Sequence, residues 1–331
     1  MDKRGEGEQF NWIFVIVAGS ILLAFFVIFT FKYIELQERR QHVDTVMFLG
    51  DSVLSASSKI QVGSGGAVID SNEKDGLRFG YKVKLGNLCN GNDSLILING
   101  GKEAYYKLDD EIVFMNKEMN IEALDIWILP WNFPFYITNF IYLADPQTEF
   151  NFVTDSFSNE FVENLDFSSA FKTRIVSGNN FDTTIKSKVI YFTSEIPSTS
   201  EVAKLNTKDV VYVDLKNSQA IFLEENKWSR PVKFYATKEN NEQLIGAMFS
   251  NDAKNFDCNI RMSTERLKIV SRNYAEKARL LNQIERGKAC QYNLISNSLF
   301  SLSQVEKDDD LISLVESLKN QNLQGGCLWV Y

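Results

Sequence analysis

The sequence predicts an α/β protein carried on an N-terminal membrane helix. Three observations carry this. An uncharged apolar run spans Trp12–Phe31. An alternating stretch around Phe79, Tyr81, Val83 and Leu85 marks a half-buried strand. From Ile121 onward, continuous apolar strands alternate with short helical segments, the pattern of a mainly parallel sheet.

Residues 1–11 form a basic and polar leader, MDKRGEGEQFN. The run WIFVIVAGSILLAFFVIFTF, residues 12–31, then matches the ~20 apolar residues that cross roughly 30 Å of hydrocarbon. It exceeds the ~7–15-residue core of a cleaved secretory signal, and bulky, charged FKYIELQERR follows it. Trp12 and Tyr33 bracket it as interfacial aromatics do. Residues 12–31 are therefore expected to contact membrane lipid as a single-pass span. The helix is expected to continue as an amphipathic element over 32–62, because Val43, Val46, Met47, Leu49, Val53, Leu54 and Ile60 recur mostly at three- and four-residue spacing. VGSGG (62–66) supplies its stop. The competing expectation is a break near Gly50.

This design resembles the type IV pilin-like proteins, whose precursors carry a short basic leader ending in glycine. The matching residues are Lys3-Arg4-Gly5, and the resemblance implies a cut between Gly5 and Glu6. It covers only the first sixty or so positions. The fifth position after that cut is Phe10, where the family has glutamate, which suits an accessory or tip subunit better than a major one. Other envelope or pilus-like subunits are the partners it implies.

Residues 67–120 read as a small β unit of strands broken by LCNGND and NGGK turns. Residues 121–331 read as the α/β domain. DIWILP is a doubly buried strand, Phe135–Leu143 a very apolar helix, and EFNFVTD, KTRIVS, KVIYFTSE and DVVYVDL further strands, with SNEFVENL a short helix. AIFLEE, VKFYATK and LIGAMFS are expected to add strands. Helices close the chain over Thr264–Arg286 and Asp309–Leu323, and CLWVY is expected as a terminal strand.

The net charge of −8, without a dominant basic block, argues against nucleic-acid binding, which needs a positive face to displace counterions. Lys3 and Arg4 before the span and Lys32, Arg39 and Arg40 after it nearly balance, so the positive-inside rule does not orient it. The cysteines do. Cys89, Cys258, Cys290 and Cys327 are an even number without a CxxC pair, which favours disulfides in a domain outside the cell over a zinc or redox motif. A helix over Thr264–Arg286 would be roughly 34 Å long, with Cys258 and Cys290 beyond its two ends. That disfavours a Cys258–Cys290 bond and leaves Cys89 and Cys327 as the partners.

No catalytic motif is present. The single histidine, His42, follows the span, away from any domain core. No GxGxxG follows a strand, and GSGGA (63–67) lacks the lysine and threonine of a phosphate loop. Asp308–Asp310 lack the glycine and distal glutamate of a calcium loop. No cofactor is therefore implied. The densest local feature, WILPWNFPF, offers Trp127, Trp131 and Phe133 as an apolar recognition surface, with Asp214 at a second strand end in the crevice where α/β sheets bind ligands. Asp125 and Asp214 are the one carboxylate pair considered for acid–base work. The favoured function is a structural or adhesive surface component. The alternatives are a membrane-anchored enzyme or ligand-binding module with a site near Trp131 and Asp214, and a cytosol-facing binding module with reduced thiols.

Overall fold

The computed structural model describes residues 4–59, 66–71, 77–91, 93–98, 105–108, 111–177, 183–184, 186–237, 240–284, 290–305, 311–322 and 330–331. The chain divides into two compact units, Met1–Phe48 and Leu49–Tyr331.

Helix α1 runs Arg4–Lys59 without a break. Within it Trp12–Gln37 has a mean hydropathy of 2.8, with none of its apolar window buried, so it is long and apolar enough to cross a membrane. Gly50 does not interrupt the helix. A Cβ there would lie 2.7 Å from the Tyr106 ring, so a larger residue would require that ring to shift. Leu49 and Val53 are fully buried beside it, whereas Val43 and Met47, expected on the same stripe, stay more than half exposed. Leu54 and Ile60 lie outside the described side chains.

The first sheet has seven strands: β1 Ala67–Ile69, β2 Leu77–Cys89, β3 Ser94–Ile98, β4 Tyr105–Leu108, β5 Glu111–Phe114, β6 Glu118–Asn132 and β7 Tyr136–Ala144. Its order is β4-β3-β2-β6-β7-β5, with β1 beside the second half of β6. Pairings are antiparallel except β5–β7. Two expectations are corrected here. The boundary at 120/121 falls inside β6, which pairs back to β2, so the first sheet extends to residue 144. Phe135–Leu143 is strand β7 and not a helix. Every position after Tyr136 is buried, so no alternation shows, and its β-branched and aromatic residues suit a strand covered on both faces.

The second sheet comprises β8 Glu149–Thr154, β9 Lys172–Ser177, β10 Ser187–Phe192, β11 Val210–Asp214, β12 Gln219–Glu224, β13 Lys227–Trp228 and β14 Val232–Lys233. β9-β8-β10-β11 are parallel, and β12 with its partners β13 and β14 forms the antiparallel edge. Two short helices intervene: α2 Asn159–Glu163, and α3 Thr199–Val202, closed by a Ser198/Glu201 capping box.

Helices α4 Glu242–Phe249, α5 Ala253–Ile284, α6 Tyr292–Ser303 and α7 Leu311–Asn322 complete the chain. LIGAMFS, expected as a strand, is α4. Gln243 through Phe249 are all buried, so the helix carries no polar face to betray its period. The α5 helix begins eleven residues before Thr264, which places Cys258 inside it and not beyond its end. The sequence reading gave no helix over α6, although Tyr292, Ile295, Leu299 and Leu302 form its buried stripe. CLWVY falls mostly outside the described residues; Val330 is buried, and Val330–Tyr331 is not a strand.

Both sheets share one core. Helix α4 touches β5 and β7 of the first sheet and β11 of the second, and α5 reaches β2, β5, β7 and β14. Phe249 is the aromatic centre, with ring centroids of Tyr142, Phe150 and Phe171 within 5.2 Å. Buried Asn259 on α5 donates to the Val113 carbonyl oxygen, satisfying edge strand β5 from a covering helix.

The most deeply placed charge is Lys188, at the start of β10. Its Nζ donates to Asp209 just before β11, to Asn116 Oδ1 (3.1 Å) between β5 and β6, and to the Ser250 carbonyl oxygen (2.9 Å) at the end of α4. Asn116 Nδ2 in turn donates to Asp209 Oδ2 at 2.7 Å. Burial pushes the Lys188 pKa below its ordinary value, and Asp209 works against that shift. Removing one partner of such a pair leaves an uncompensated buried charge. Lys188→Met is expected to cost about 3 kcal/mol in denaturant titration, and adding Asp209→Leu should recover most of it. A loss below about 1 kcal/mol for the single variant would refute this role.

Candidate functional site

The residues singled out in WILPWNFPF belong to the core. Trp127 packs on Tyr142 and Phe167, and Trp131 stacks between Phe133 and Phe140. Trp127, Trp131 and Phe133 are 3%, 1% and 1% exposed, so they form no recognition surface; the second half of β6 is covered on both faces. Asp214 does end β11, but its carboxylate accepts from the backbone N–H groups of Lys216 and Asn217 and from Asn217 Nδ2, which shapes the turn into β12. Asp125 lies on the first sheet, where the carboxylates acting on it are Asp70 and Asp145 and not Asp214.

The crevice at the ends of the parallel strands is likewise tied up. Asp155, just after β8, accepts from the backbone N–H groups of Ser194 (2.7 Å), Phe157 (3.0 Å) and Ser158 (3.1 Å). Burial alone would raise its pKa; these bonds outweigh it and hold the carboxyl at about 2. A carboxylate so stabilised is a poor base near neutrality.

Cys89, at the end of β2, is bonded to Cys258 on α5 with Cα atoms 6.0 Å apart. Cys290 is also in a disulfide. Cys327 lies outside the described residues. Gly5 and Glu6 fall in the first turns of α1, and the side chains there and at His42 lie outside the described set.

Three cavities stand out among the described residues. One of about 700 Å³ is bordered by Lys117, Asp209, Glu224 and Asp252. Lys117 pairs with Asp252 at 3.1 Å and Glu224 accepts from the Ala253 N–H that opens α5, while Lys208, Glu225 and Lys227 also line the space. Among the described residues no group of His, Cys, Asp or Glu side chains could hold a metal ion.

The largest of these three, about 840 Å³, is a polar groove where the two sheets meet. One wall comes from β2 and β6. Their register shifts between Arg78 and Val83: Arg78 faces Ala123 while Val83 faces Ile121, so β2 bulges. Gly80, at φ +69° inside the bulge, takes a conformation few L-residues adopt. Arg78, Gly80 and Lys82 alternate along the wall, beside Glu122 of the neighbouring strand β6. The other wall comes from Asp145 and Gln147 in the β7–β8 turn, from Lys172 and from Lys186.

Both walls are braced from inside. Asp125, 2% exposed, accepts from the Ser71 N–H at 2.8 Å, and the Ser71 carbonyl oxygen accepts from Arg78 Nε at 2.8 Å. Burial pushes the Asp125 carboxyl up, and the Ser71 bonds oppose that shift. Across the groove Lys186 donates to Asp145 (2.8 Å) and to Gln147, and Asp145 also fixes the Gln147 N–H. Lys82, Lys172 and Glu122 have no hydrogen-bond or ion-pair partner among the described residues. The sequence reading missed this groove: the alternation along β2 marks Lys82 as outward-facing, Gly80 is the one local trace of the bulge, and nothing local announces the strands opposite it.

No protein-family model matches the chain, and no curated protein or solved structure matches it.

The third cavity, about 590 Å³, is lined by Phe133, Thr237, Asn240, Val315 and Lys319. Glu242 follows closely in the chain, and its Oε2 has no hydrogen-bond partner. Burial raises its pKa to about 7; its own backbone bond and Lys319 pull weakly the other way. A carboxyl raised on folding stabilises most below its unfolded value, about 4.5, and that contribution is lost as pH rises through about 7. Glu242→Gln should therefore match the wild type in thermal midpoint at pH 4.5 and exceed it at pH 8. Equal midpoints at pH 8 would contradict the burial account.

Proposed function

We propose that this protein is a single-pass, membrane-anchored component of the cell surface or envelope. Its Leu49–Tyr331 unit lies outside the membrane and serves a structural or adhesive role. The observation that carries this reading is α1. Its stretch Trp12–Gln37 is uncharged over most of its length and leaves side chains such as Phe14 and Phe31 more than two-thirds exposed. Each such side chain would gain roughly 1.5–3 kcal/mol on leaving water, and a hydrocarbon layer supplies that gain along the whole segment.

Sulfur chemistry supports one side of the membrane. Cys89 and Cys258 are bonded, and Cys290 is also in a disulfide. Such bonds persist in oxidising compartments and are rare where glutathione and thioredoxin keep thiols reduced. That favours an exterior domain over a cytosolic binding module. An anchored enzyme is less favoured, since Trp131 is buried and Asp214 is spent on its turn. Within the surface reading, Lys3-Arg4-Gly5 ahead of the apolar run supports an accessory pilin-like subunit cut before Glu6.

The test is cysteine labelling on intact cells with a membrane-impermeant maleimide, before and after reduction, with denatured protein in parallel. Label that appears on intact cells only after reduction is the expected result. Full labelling without reductant, and only after lysis, would place the domain in the cytosol and overturn the proposal.

A further inference from the structure

We propose that the groove where the two sheets meet binds a sugar bearing an acid group, a uronate or a sugar phosphate. The acid group sits on Arg78, Lys82 and Lys172, and the ring hydroxyls reach Glu122 and the polar rim.

The charge pattern selects this chemistry. The chain as a whole is acidic, with a net charge of −8, yet this groove gathers Arg78, Lys82, Lys172 and Lys186 against Glu122 and Asp145. Lys186 and Asp145 neutralise one another, which leaves three cations facing one free carboxylate. Arg78, Lys82 and Lys172 line one space, so an acid group placed there is attracted by all three. A bare anion is a poor fit, because Glu122 faces the same space and would repel it. A ligand that brings both an acid group and hydroxyl donors satisfies both: guanidinium and ammonium groups hold the acid, and Glu122 accepts from a hydroxyl. Ser71, Asn120 and Gln147 add neutral polar groups around them.

The groove is built in advance of any ligand. Arg78 is held through its Nε by the chain Arg78–Ser71–Asp125, whose last carboxylate is buried, and its two terminal amino groups take no part in that anchoring. A guanidinium fixed in this way loses less freedom on forming a bidentate contact than a free surface side chain would. The Gly80 bulge opens the wall between Arg78 and Lys82, and a Cβ built on Gly80 would meet nothing within 4 Å. At about 840 Å³ the space lies within the roughly 300–1,000 Å³ of small-ligand sites. Nucleic acid is a poorer match: no aromatic ring lines the groove among the described residues to stack a base, and the net negative chain repels a long polyanion.

The inference deepens the adhesive reading by naming what is held. The binding itself is read on detergent-solubilised full-length protein, where orientation in the membrane plays no part. Its failure and a failure of the labelling test are therefore separate results. The probes are a glucuronate-containing tetrasaccharide, an uncharged tetrasaccharide of the same length and inorganic phosphate, each titrated calorimetrically. The tetrasaccharide carrying glucuronate is expected to bind about tenfold or more tighter than either other probe. Lys172→Glu, on an exposed edge strand, and Arg78→Gln should each weaken it about tenfold. Glu122→Gln should weaken the sugar acid while strengthening inorganic phosphate. Equal binding of the uncharged sugar or of phosphate, no binding of any probe, or indifference to Lys172→Glu overturns the proposal.

Discussion

A single ammonium group settles how the Leu49–Tyr331 unit is put together. Lys188 cannot be left unpaired where it sits, and its three donors are taken by groups from three separate parts of the chain: Asn116 between two strands of the first sheet, Asp209 at the foot of the second, and the Ser250 carbonyl oxygen where α4 ends. Each acceptor has to be in place before the charge is compensated, so the full compensation exists only when the two sheets and the helical layer are all in register. The aromatic mesh around Phe249 supplies far more buried area, but rings tolerate sliding and this geometry does not.

The elements legible in the sequence were those whose environment is one-sided or uniform. The membrane-type run of α1 could be read because nothing apolar is spared along it, and β8, β10 and β11 because parallel strands covered on both faces are short, β-branched and aromatic. The errors have the same origin. Tyr136–Ala144 and Glu242–Phe249 are both buried almost throughout, so neither carries the periodicity that separates strand from helix, and each was assigned the other's state. The helix over Tyr292–Ser303 was missed for the opposite reason: its serines and asparagines dilute a stripe that only neighbouring helices complete.

The candidate site was less legible than the fold. The sequence offers the aromatics of WILPWNFPF as a recognition surface, yet Trp127, Trp131 and Phe133 are core, because large rings close in sequence serve a core more readily than a surface. Asp125 was noticed as an acid at a strand, yet its part is indirect: it steadies Ser71, which steadies Arg78. The groove unites side chains from β2, β6, the β7–β8 turn and the parallel sheet's edge, so no window of sequence contains it. The one local trace is a glycine inside an otherwise alternating strand, Gly80, the usual mark of a bulge.

The Cys89–Cys258 bond closes a ring across a sequence separation of 169 residues, taking in most of both sheets. For a chain that meets a protease this alters what damage means. A backbone cut in any loop between the two cysteines would leave both fragments covalently joined and held around a common core. Such a nicked molecule would migrate as an intact chain until a thiol reductant parted its halves.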